Sequence, residues 1–592
     1  MAKLVYSADI MNFKATGEKT YYIEEKTIIT PSAKDLARQF GIQFSTKKPM
    51  AKAIQPVVIP TVKPEVAPKK DVANKGAYIG LAEESPRKEV SSVDYDLRSI
   101  QEARDLVSLG SKAAKELASF TEEQIDRILV NMVKVAQENN VKLAQMAVEE
   151  TGFGKVVDKT YKNHLGSTLT YEAIKNMKTI GIIEEDPVNQ VISIAEPMGL
   201  VLGIIPSTNP TSTTMFKALI AIKGRNSIVF SPHPSALKCT LEAANLMRQA
   251  AVDAGAPANI INCVTLPSMN STNEMMKNDK VDIIIATGGP GLVKAAYSSG
   301  KPALGVGAGN TPAYIERTAD VAKAVQDIVL SKTFDNGTIC ASEQAVVVEE
   351  CIRDEVIAEF KRRGAYFMTE EECKKVCNVI FINGHTMNGK LVGRDASVIA
   401  QAAGISIPQG TTILIGEQCG VGKDYPLSYE KLLPVLGFYT VKDWKEACNI
   451  CIGLLQNGIG HTLSLHTRNK DIVREFSVKP ASRILVNTGS SQGGTGASTG
   501  LIPSFTLGCG TWGGSSTTEN VSPMHLLNIK KVAYGIHDCA TLASSDPLYK
   551  VDLNSITSNS VKQHIPGDTL NALTPEQLNA IVQGVVAALK GR

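Results

Sequence analysis

The apolar positions of this chain change their period as the sequence proceeds, and each change predicts an element. From Ser99 to about Asn163 they recur at three- and four-residue steps through LVSLGSKAAKELASF and RILVNMVKVAQENNVKLAQMAVEETG, a helical period that Gly152 and Gly154 stop. From Ile180 to Pro197 strand-like runs turn at Asp186-Pro187-Val188-Asn189, a predicted β-hairpin. Continuous apolar runs follow: GLVLGIIP over 199–206, SIVFSPH over 227–233 and VDIIIA over 281–286. Such runs mark strands buried on both faces, as in a parallel sheet. The first leads into Ser207-Thr208-Asn209-Pro210 and a helix, the third into Thr287-Gly288-Gly289-Pro290-Gly291 and a helix. Strands that alternate with helices predict an α/β domain with a mostly parallel sheet.

The two ends follow other patterns. Over residues 1–44, Thr20 to Thr30 reads as strand-like and Pro31 to Gly41 as a helix, with Thr30 as its cap and Pro31 in its first turn. Residues 45–97 are rich in Pro, Lys, Val and Ala without apolar periodicity, which predicts a tether. Residues 551–573 read as a polar linker. Thr574-Pro575-Glu576-Gln577 then opens a helix whose Leu578, Ile581, Val582, Val585 and Leu589 share one face. An amphipathic helix on a tether is expected to dock in a partner's groove, the alternatives being its own core or a membrane surface, for which it has few basic residues.

Length adds a constraint: 592 residues exceed what one hydrophobic core serves, so two or more domains are expected. Hydrophobic content of 43%, charged content of 20% and a net charge of +3 describe an ordinary soluble protein and give no basis for a nucleic-acid partner. The opening MAKLVYSADIMNFK lacks the apolar core of a secretory signal, and no stretch approaches the roughly 20 apolar residues of a membrane span. A cytoplasmic protein with no membrane partner is expected. Among the cysteines, Cys373/Cys377 and Cys448/Cys451 have no second pair of ligands beside them, so no metal site is expected.

Candidate chemistry lies at the strand ends and at one thiol. Small residues between a strand and a helix start are where a dinucleotide phosphate is commonly held, although no GxGxxG fingerprint is present. Further on, a thiol follows a glycine-containing turn in Thr333-Phe334-Asp335-Asn336-Gly337-Thr338-Ile339-Cys340-Ala341-Ser342-Glu343-Gln344. With this segment, and with the order of strand ends before it, the chain resembles the aldehyde dehydrogenase superfamily over residues 99 to 535, most closely its CoA-acylating branch. Pro503 to Gly514 and Ser516 to Val521 also resemble that branch. Cys509, within it, has no base-bearing motif and is not expected to be catalytic.

The resemblance implies an α/β, aldehyde dehydrogenase-like fold: a Rossmann-type cofactor domain over 98–325 with a small oligomerisation β-hairpin at 180–197, an α/β catalytic domain over 326–507, and a return to the cofactor or oligomerisation region over 508–550. Residues 1–44 and 574–592 would be appendages on flexible extensions. It implies that Cys340 is the nucleophile, and that the Asn209 amide and the backbone N–H of Cys340 hold the thiohemiacetal oxyanion while hydride leaves for the nicotinamide. Pro206, Ser207 and Thr208, then Ser231, Pro232 and His233, then Gly288 and Gly289 would line the cofactor, and Glu430 would bind the nicotinamide ribose. NAD is expected over NADP by family habit alone, since Phe230-Ser231-Pro232-His233-Pro234 lacks the lysine many relatives carry there. His461, in Asn457-Gly458-Ile459-Gly460-His461-Thr462, is implied as the base for Cys340 or for the CoA thiol, an imidazole titrating near neutrality; a structural histidine is the other reading.

One substitution decides the expected product. Hydrolytic members carry a water-activating glutamate in an ELGGK-like motif; the matching stretch here is Gly305-Val306-Gly307-Ala308-Gly309-Asn310-Thr311-Pro312, with Val306 at the glutamate position. Direct hydrolysis is then expected to be slow, and the thiol of coenzyme A becomes the acceptor. The expected reaction takes a short aldehyde, propionaldehyde first and acetaldehyde second, with CoA and NAD to acyl-CoA and NADH. A hydrolytic semialdehyde dehydrogenase and a catalytically idle scaffold remain as alternatives, and no iron-dependent alcohol dehydrogenase domain is expected to follow. The C-terminal helix resembles the encapsulation peptides of bacterial microcompartments, and the segment from Thr30 to Ala37 resembles parts of proteins found there. A homo-oligomer, dimer or tetramer, in a microcompartment lumen is therefore expected, bound to shell proteins through a terminal helix.

Overall fold

A computed structural model describes residues 92–539 without a break, parts of 4–46, and isolated positions between 574 and 583. Thr30, residues 47–91 of the tether expected over 45–97, residues 540–573, and Leu578, Ile581, Val585 and Leu589 of the expected terminal helix lie outside the described residues, while Ser92 to Leu97, at the end of that expected tether, are helical. The chain divides into one unit over 1–86 and another over 87–592. In the first, the helix Pro31–Phe40 does begin at its proline, and Ala33 and Ala37 on it pack with Val5, Ile10 and Ile42. The stretch from Thr20 to Thr30 is split between two pairings: Thr20–Tyr22 runs parallel to Gln43–Ser45, and Ile28–Ile29 runs parallel to Leu4–Val5. The intervening Glu24-Glu25-Lys26 has no apolar residue with which to continue one strand.

The second unit opens with the helices read from the 3.6-residue period, α1 (Ser92–Leu117) and α2 (Glu122–Thr151). Thr121 and Gln124 form a capping box at the start of α2, and Gly152 ends it at φ 68°, a left-handed position that glycine takes without strain. After α3 (Val156–His164) comes the hairpin, β1 (Gly181–Asp186) and β2 (Val191–Pro197).

Two parallel sheets follow. The first uses β3 (Leu200–Ile204), β4 (Ser227–Ser231), β5 (Ile261–Cys263), β6 (Ile283–Thr287) and β7 (Ala303–Val306) in the order β7-β6-β3-β4-β5. Its strands lead outward from β3 in one direction and from β6 in the other, and such a reversal opens a crevice at the strands' carboxyl ends. α4 (Pro210–Lys223) leaves β3 at that crevice. Its buried Lys217 donates to Ile204 O on β3 (2.7 Å) and Ile285 O on β6 (3.0 Å), pinning the two strand ends together. Across the crevice α5 (Pro290–Tyr297) begins after Gly289.

The second sheet, seven-stranded and parallel, uses β8 (Thr311–Ile315), β9 (Glu343–Glu349), β10 (Ala365–Met368), β11 (Ile413–Glu417), β12 (Val435–Val441), β13 (Gly460–His466) and β14 (Ala481–Val486) in the order β10-β11-β12-β9-β8-β13-β14. β8 is buried along its whole length between β9 and β13, so this sheet opens at Thr311, upstream of the boundary at 325/326 expected from sequence. Finally β15 (Leu527–Ala533) returns to pair antiparallel with β2, giving a three-stranded sheet in the order β15-β2-β1. Among the described residues no helix is long and apolar enough to cross a membrane.

Candidate active site

α6 (Val321–Thr333) delivers the chain to a tight turn, Phe334–Gly337, whose backbone is left-handed at Asp335 (φ 50°), Asn336 (φ 53°) and Gly337 (φ 76°). Only the glycine takes that region freely, and here the other two are tied by their side chains. Asp335 Oδ1 accepts from Lys155 N (2.8 Å), and its Oδ2 accepts from Lys159 Nζ (2.9 Å), Lys162 Nζ (2.5 Å) and Thr338 Oγ1 (2.7 Å). Asn336 Nδ2 donates to Gly393 O (2.9 Å) and Asp395 Oδ1 (3.1 Å). The loop before α3 fits around this carboxylate: a Cβ at Gly154 would stand 1.8 Å from Asp335 Oδ1.

Three residues beyond the turn, Cys340 is half-buried and opens onto a cavity of about 530 Å³ at the crevice of the first sheet. Pro206, Ser207, Thr208 and Asn209, from the loop after β3, line it. So do Gly288 and Gly289 after β6, His233 after β4, and Glu430. Val306 lines it as well. Other expected residues stand apart. Ser231 and Pro232 are buried and do not line the cavity; Ser231 Oγ is instead 2.8 Å from Thr272 Oγ1. His461 is fully buried outside the lining, with Nδ1 2.8 Å from Thr462 Oγ1 and no hydrogen-bond partner for Nε2 among the described residues. Gly309 lies against both groups: a Cβ there would be 1.9 Å from Cys340 O and 3.3 Å from His461 Cγ.

The charges around the thiol differ in kind. Burial, then the nearby Glu430 and Cys509, push the Cys340 thiol up to about 12, opposed by Arg483. The resting group is therefore the thiol, and a proton acceptor is needed to form a thiolate there. Burial raises Glu430 to about 7, moderated by the Gly309 N–H that donates to Oε1 at 3.1 Å. Burial and the charge of Arg483 lower His461 well below the usual imidazole range, so this ring stays neutral where a base titrating near neutrality was expected from sequence. Arg483 is fixed by carbonyls, donating to Gly508 O (2.6 Å) and His461 O (3.0 Å). Burial alone would raise Asp335, yet Lys162 and Lys159 hold it below the usual carboxylate range. Lys162 is lowered to about 8 by burial in spite of that partner.

The cavity fits a nicotinamide dinucleotide. Its walls at the ends of β3 and β6 are small residues, and a Cβ at Gly289 would meet nothing within 4 Å, so the backbone there is open to a ligand. The model of the aldehyde dehydrogenase family matches residues 81–376. This chain belongs to that family. The bifunctional aldehyde-alcohol dehydrogenase AdhE of Escherichia coli K12 is 48% identical over 441 residues, 73% of this chain and 49% of the relative. The chain thus spans about half the length of that curated relative. Among solved structures, an acetylating aldehyde dehydrogenase from Geobacillus thermoglucosidasius is 54% identical with a TM-score of 0.74, over 75% of this chain and 99% of that one. A propionaldehyde dehydrogenase from the fucose utilisation bacterial microcompartment of Clostridium phytofermentans is 28% identical (TM-score 0.66; 74% of this chain, 98% of that one). So is one from Rhodopseudomonas palustris solved with bound CoA and an acylated cysteine (TM-score 0.66; 73% and 97%).

Sequence reasoning passed over one part of the candidate site, the lysines of α3. Lys162 donates to Asn209 Oδ1 (2.7 Å) and Lys159 to Thr208 O (2.9 Å), so the helix touches the loop after β3 as well as the nucleophile turn. In VVDKTYKNH these lysines look like an ordinary charged helix surface. The signal available was the glycine on either side of Phe153, which lets the helix start close to the turn.

Proposed function

We propose that this aldehyde dehydrogenase is CoA-acylating: a short aldehyde, CoA and NAD become acyl-CoA, NADH and a proton. The observation that carries this reading is Val306, which lines the cavity with Cys340 at the position where hydrolytic members hold a glutamate. In this reading Cys340 Sγ adds to the aldehyde carbon and its proton passes to Glu430, whose carboxyl, near 7, faces the thiol's charge. Asn209 Nδ2 and the Cys340 N–H receive the oxyanion. When bound, the nicotinamide supplies a hydride acceptor, leaving the acyl group as a thioester on Sγ. The CoA thiol, losing its proton to solvent, adds to that thioester carbon and expels the Cys340 thiolate, which takes back the proton held by Glu430 and closes the cycle.

NAD is favoured over NADP because none of the residues lining the cavity is Lys or Arg, leaving a 2′-phosphate without a cation. For the aldehyde, the 54% identity to the acetylating enzyme supports acetaldehyde and the likeness to two propionaldehyde dehydrogenases supports propionaldehyde. A microcompartment lumen, reached through residues 574–592, is the proposed location; a reporter carrying those residues that stays outside purified shells would remove it. The deciding experiment measures NADH with each aldehyde, with and without CoA, and scores acyl-CoA against free acid. CoA-dependent NADH with acyl-CoA as product is expected. Equal rates without CoA, giving free acid, would show that a residue other than Val306 activates water and would replace this reading with a hydrolytic one.

A further inference from the structure

The amide of Asn209 has one end fixed. Its Oδ1 accepts a hydrogen bond from the Lys162 ammonium at 2.7 Å, and an ammonium can only donate, so the carbonyl end is the end that faces Lys162. Nδ2 is left as the end free to donate elsewhere, its present partner being Thr208 Oγ1 at 3.2 Å. Lys162 is fully buried and points three ways at once: to Asn209, to Asp335 Oδ2 at 2.5 Å, and to Thr338 Oγ1 at 3.1 Å, two residues before the nucleophile. A flipped amide would set its NH2 against the ammonium and lose a charge-assisted bond in a dry site.

We propose that Lys162, anchored by Asp335, is a positioning residue that fixes the orientation of the Asn209 carboxamide and so presents its NH2 to the substrate oxygen. The inference rests on the reading of Asn209 as an oxyanion donor. It concerns only the formation of the acyl-enzyme and is independent of whether CoA or water accepts the acyl group. An ion pair with Asp335 and a hydrogen bond donated to Thr338 Oγ1 hold Lys162 against the segment that leads to Cys340, so one ammonium aligns the donor loop and the thiol segment together.

The test is a double-mutant cycle on the burst of NADH formed without CoA, with aldehyde KM followed in parallel. Asn209→Ala should slow the burst on the order of 10²-fold, the usual value of one oxyanion donor. Lys162→Met should slow it roughly 10-fold, the value of one charge-assisted hydrogen bond, with aldehyde KM changing less. Placed in the Asn209→Ala background, Lys162→Met should slow it no further. A product of the two separate losses, or a wild-type burst from Lys162→Met, overturns the proposal. A wild-type burst from Asn209→Ala would instead remove the reading of Asn209 on which it stands. Should Lys162→Met fail to fold, Lys162→Gln keeps a polar group in the site and enters the same cycle: slowing that disappears in the Asn209→Ala background supports positioning, and equal slowing in both backgrounds overturns it.

Discussion

Asp335 and Glu430 are carboxylic acids on the two sides of one catalytic segment, and the protein treats them oppositely. Asp335 is sealed, with two ammonium groups, a backbone N–H and a hydroxyl on its oxygens, and it remains ionised well into acid. Glu430 is open to the cavity with a single N–H on Oε1 and takes up a proton near 7. A carboxylate held by four donors, two of them ammonium groups, is a structural anchor. One left with unused acceptor capacity beside a thiol and a cavity is in a position to move protons or to meet a ligand's hydroxyls. What separates the two roles is the count of donors around each group, not burial as such.

The largest expected effect comes from breaking the sealed acid. Asp335→Asn leaves Lys159 and Lys162 buried without their counter-charge, and removing one partner from such a cluster costs about 3–5 kcal/mol. Denaturant unfolding of wild type and variant measures it. Because the folded Asp335 is held below its unfolded value of 3.8, its stabilisation is present above that pH and disappears as the pH falls through the folded value. The two proteins should therefore converge in acid. A loss under about 1 kcal/mol at pH 7 would mean that the lysines shed their protons, and Asp335 would cease to be the anchor.

These two acids also mark what the sequence could reveal. Glu430 and Cys340 could be singled out because each sits in a short segment resembling a family pattern, and both line the cavity; the strands that carry the cavity loops were legible from their continuous apolar runs. The hairpin ran as read, from Gly181 to Pro197, because its turn chemistry is local. Lys162 was not legible, since its partners Asp335 and Asn209 lie far along the chain and nothing in helical periodicity brings α3 against them. The same holds for Lys217, an interior lysine whose carbonyl partners on β3 and β6 exist only once the sheet order is known. The burial of His461 outside the cavity lining was not legible for a related reason: its depth behind Gly309 depends on how three separate segments meet.

Glu430→Gln sharpens the contrast, because its effect on stability should have the opposite sign. A carboxyl raised from 4.5 to about 7 contributes stability in acid that is lost as the pH rises through 7. At 1.36 kcal/mol per pH unit the span corresponds to at most about 3 kcal/mol, reduced here because the cavity admits water. The glutamine variant should then unfold later than wild type at pH 8 and no later at pH 5. The same substitution should flatten the rise in acylation rate through pH 7 and weaken NAD by roughly 10-fold in KM, the value of a charged hydrogen bond to a ribose hydroxyl. Retention of the pH 7 limb in this variant would take the proton-accepting role away from Glu430.

The smallest effect is expected at His461, the group sequence reasoning had favoured for that role. Its ring is neutral at pH 7, is absent from the cavity lining, and meets Thr462 rather than the thiol. His461→Ala should lower acylation by far less than the roughly 10²–10⁴-fold that a general base supplies. Its pH limb near 7 should stay in place, since Glu430 remains. Some loss of stability is expected as well, because the removed ring leaves a void beside Gly309 and takes one hydrogen bond from the Thr462 hydroxyl, which keeps the one donated by Arg483 Nε (3.3 Å). A rate profile of both single variants across pH 5–9 separates the possibilities. If the limb vanishes with His461 and persists without Glu430, the imidazole must reach the cavity once substrate is bound, and the open acid becomes a ligand for the cofactor's ribose alone.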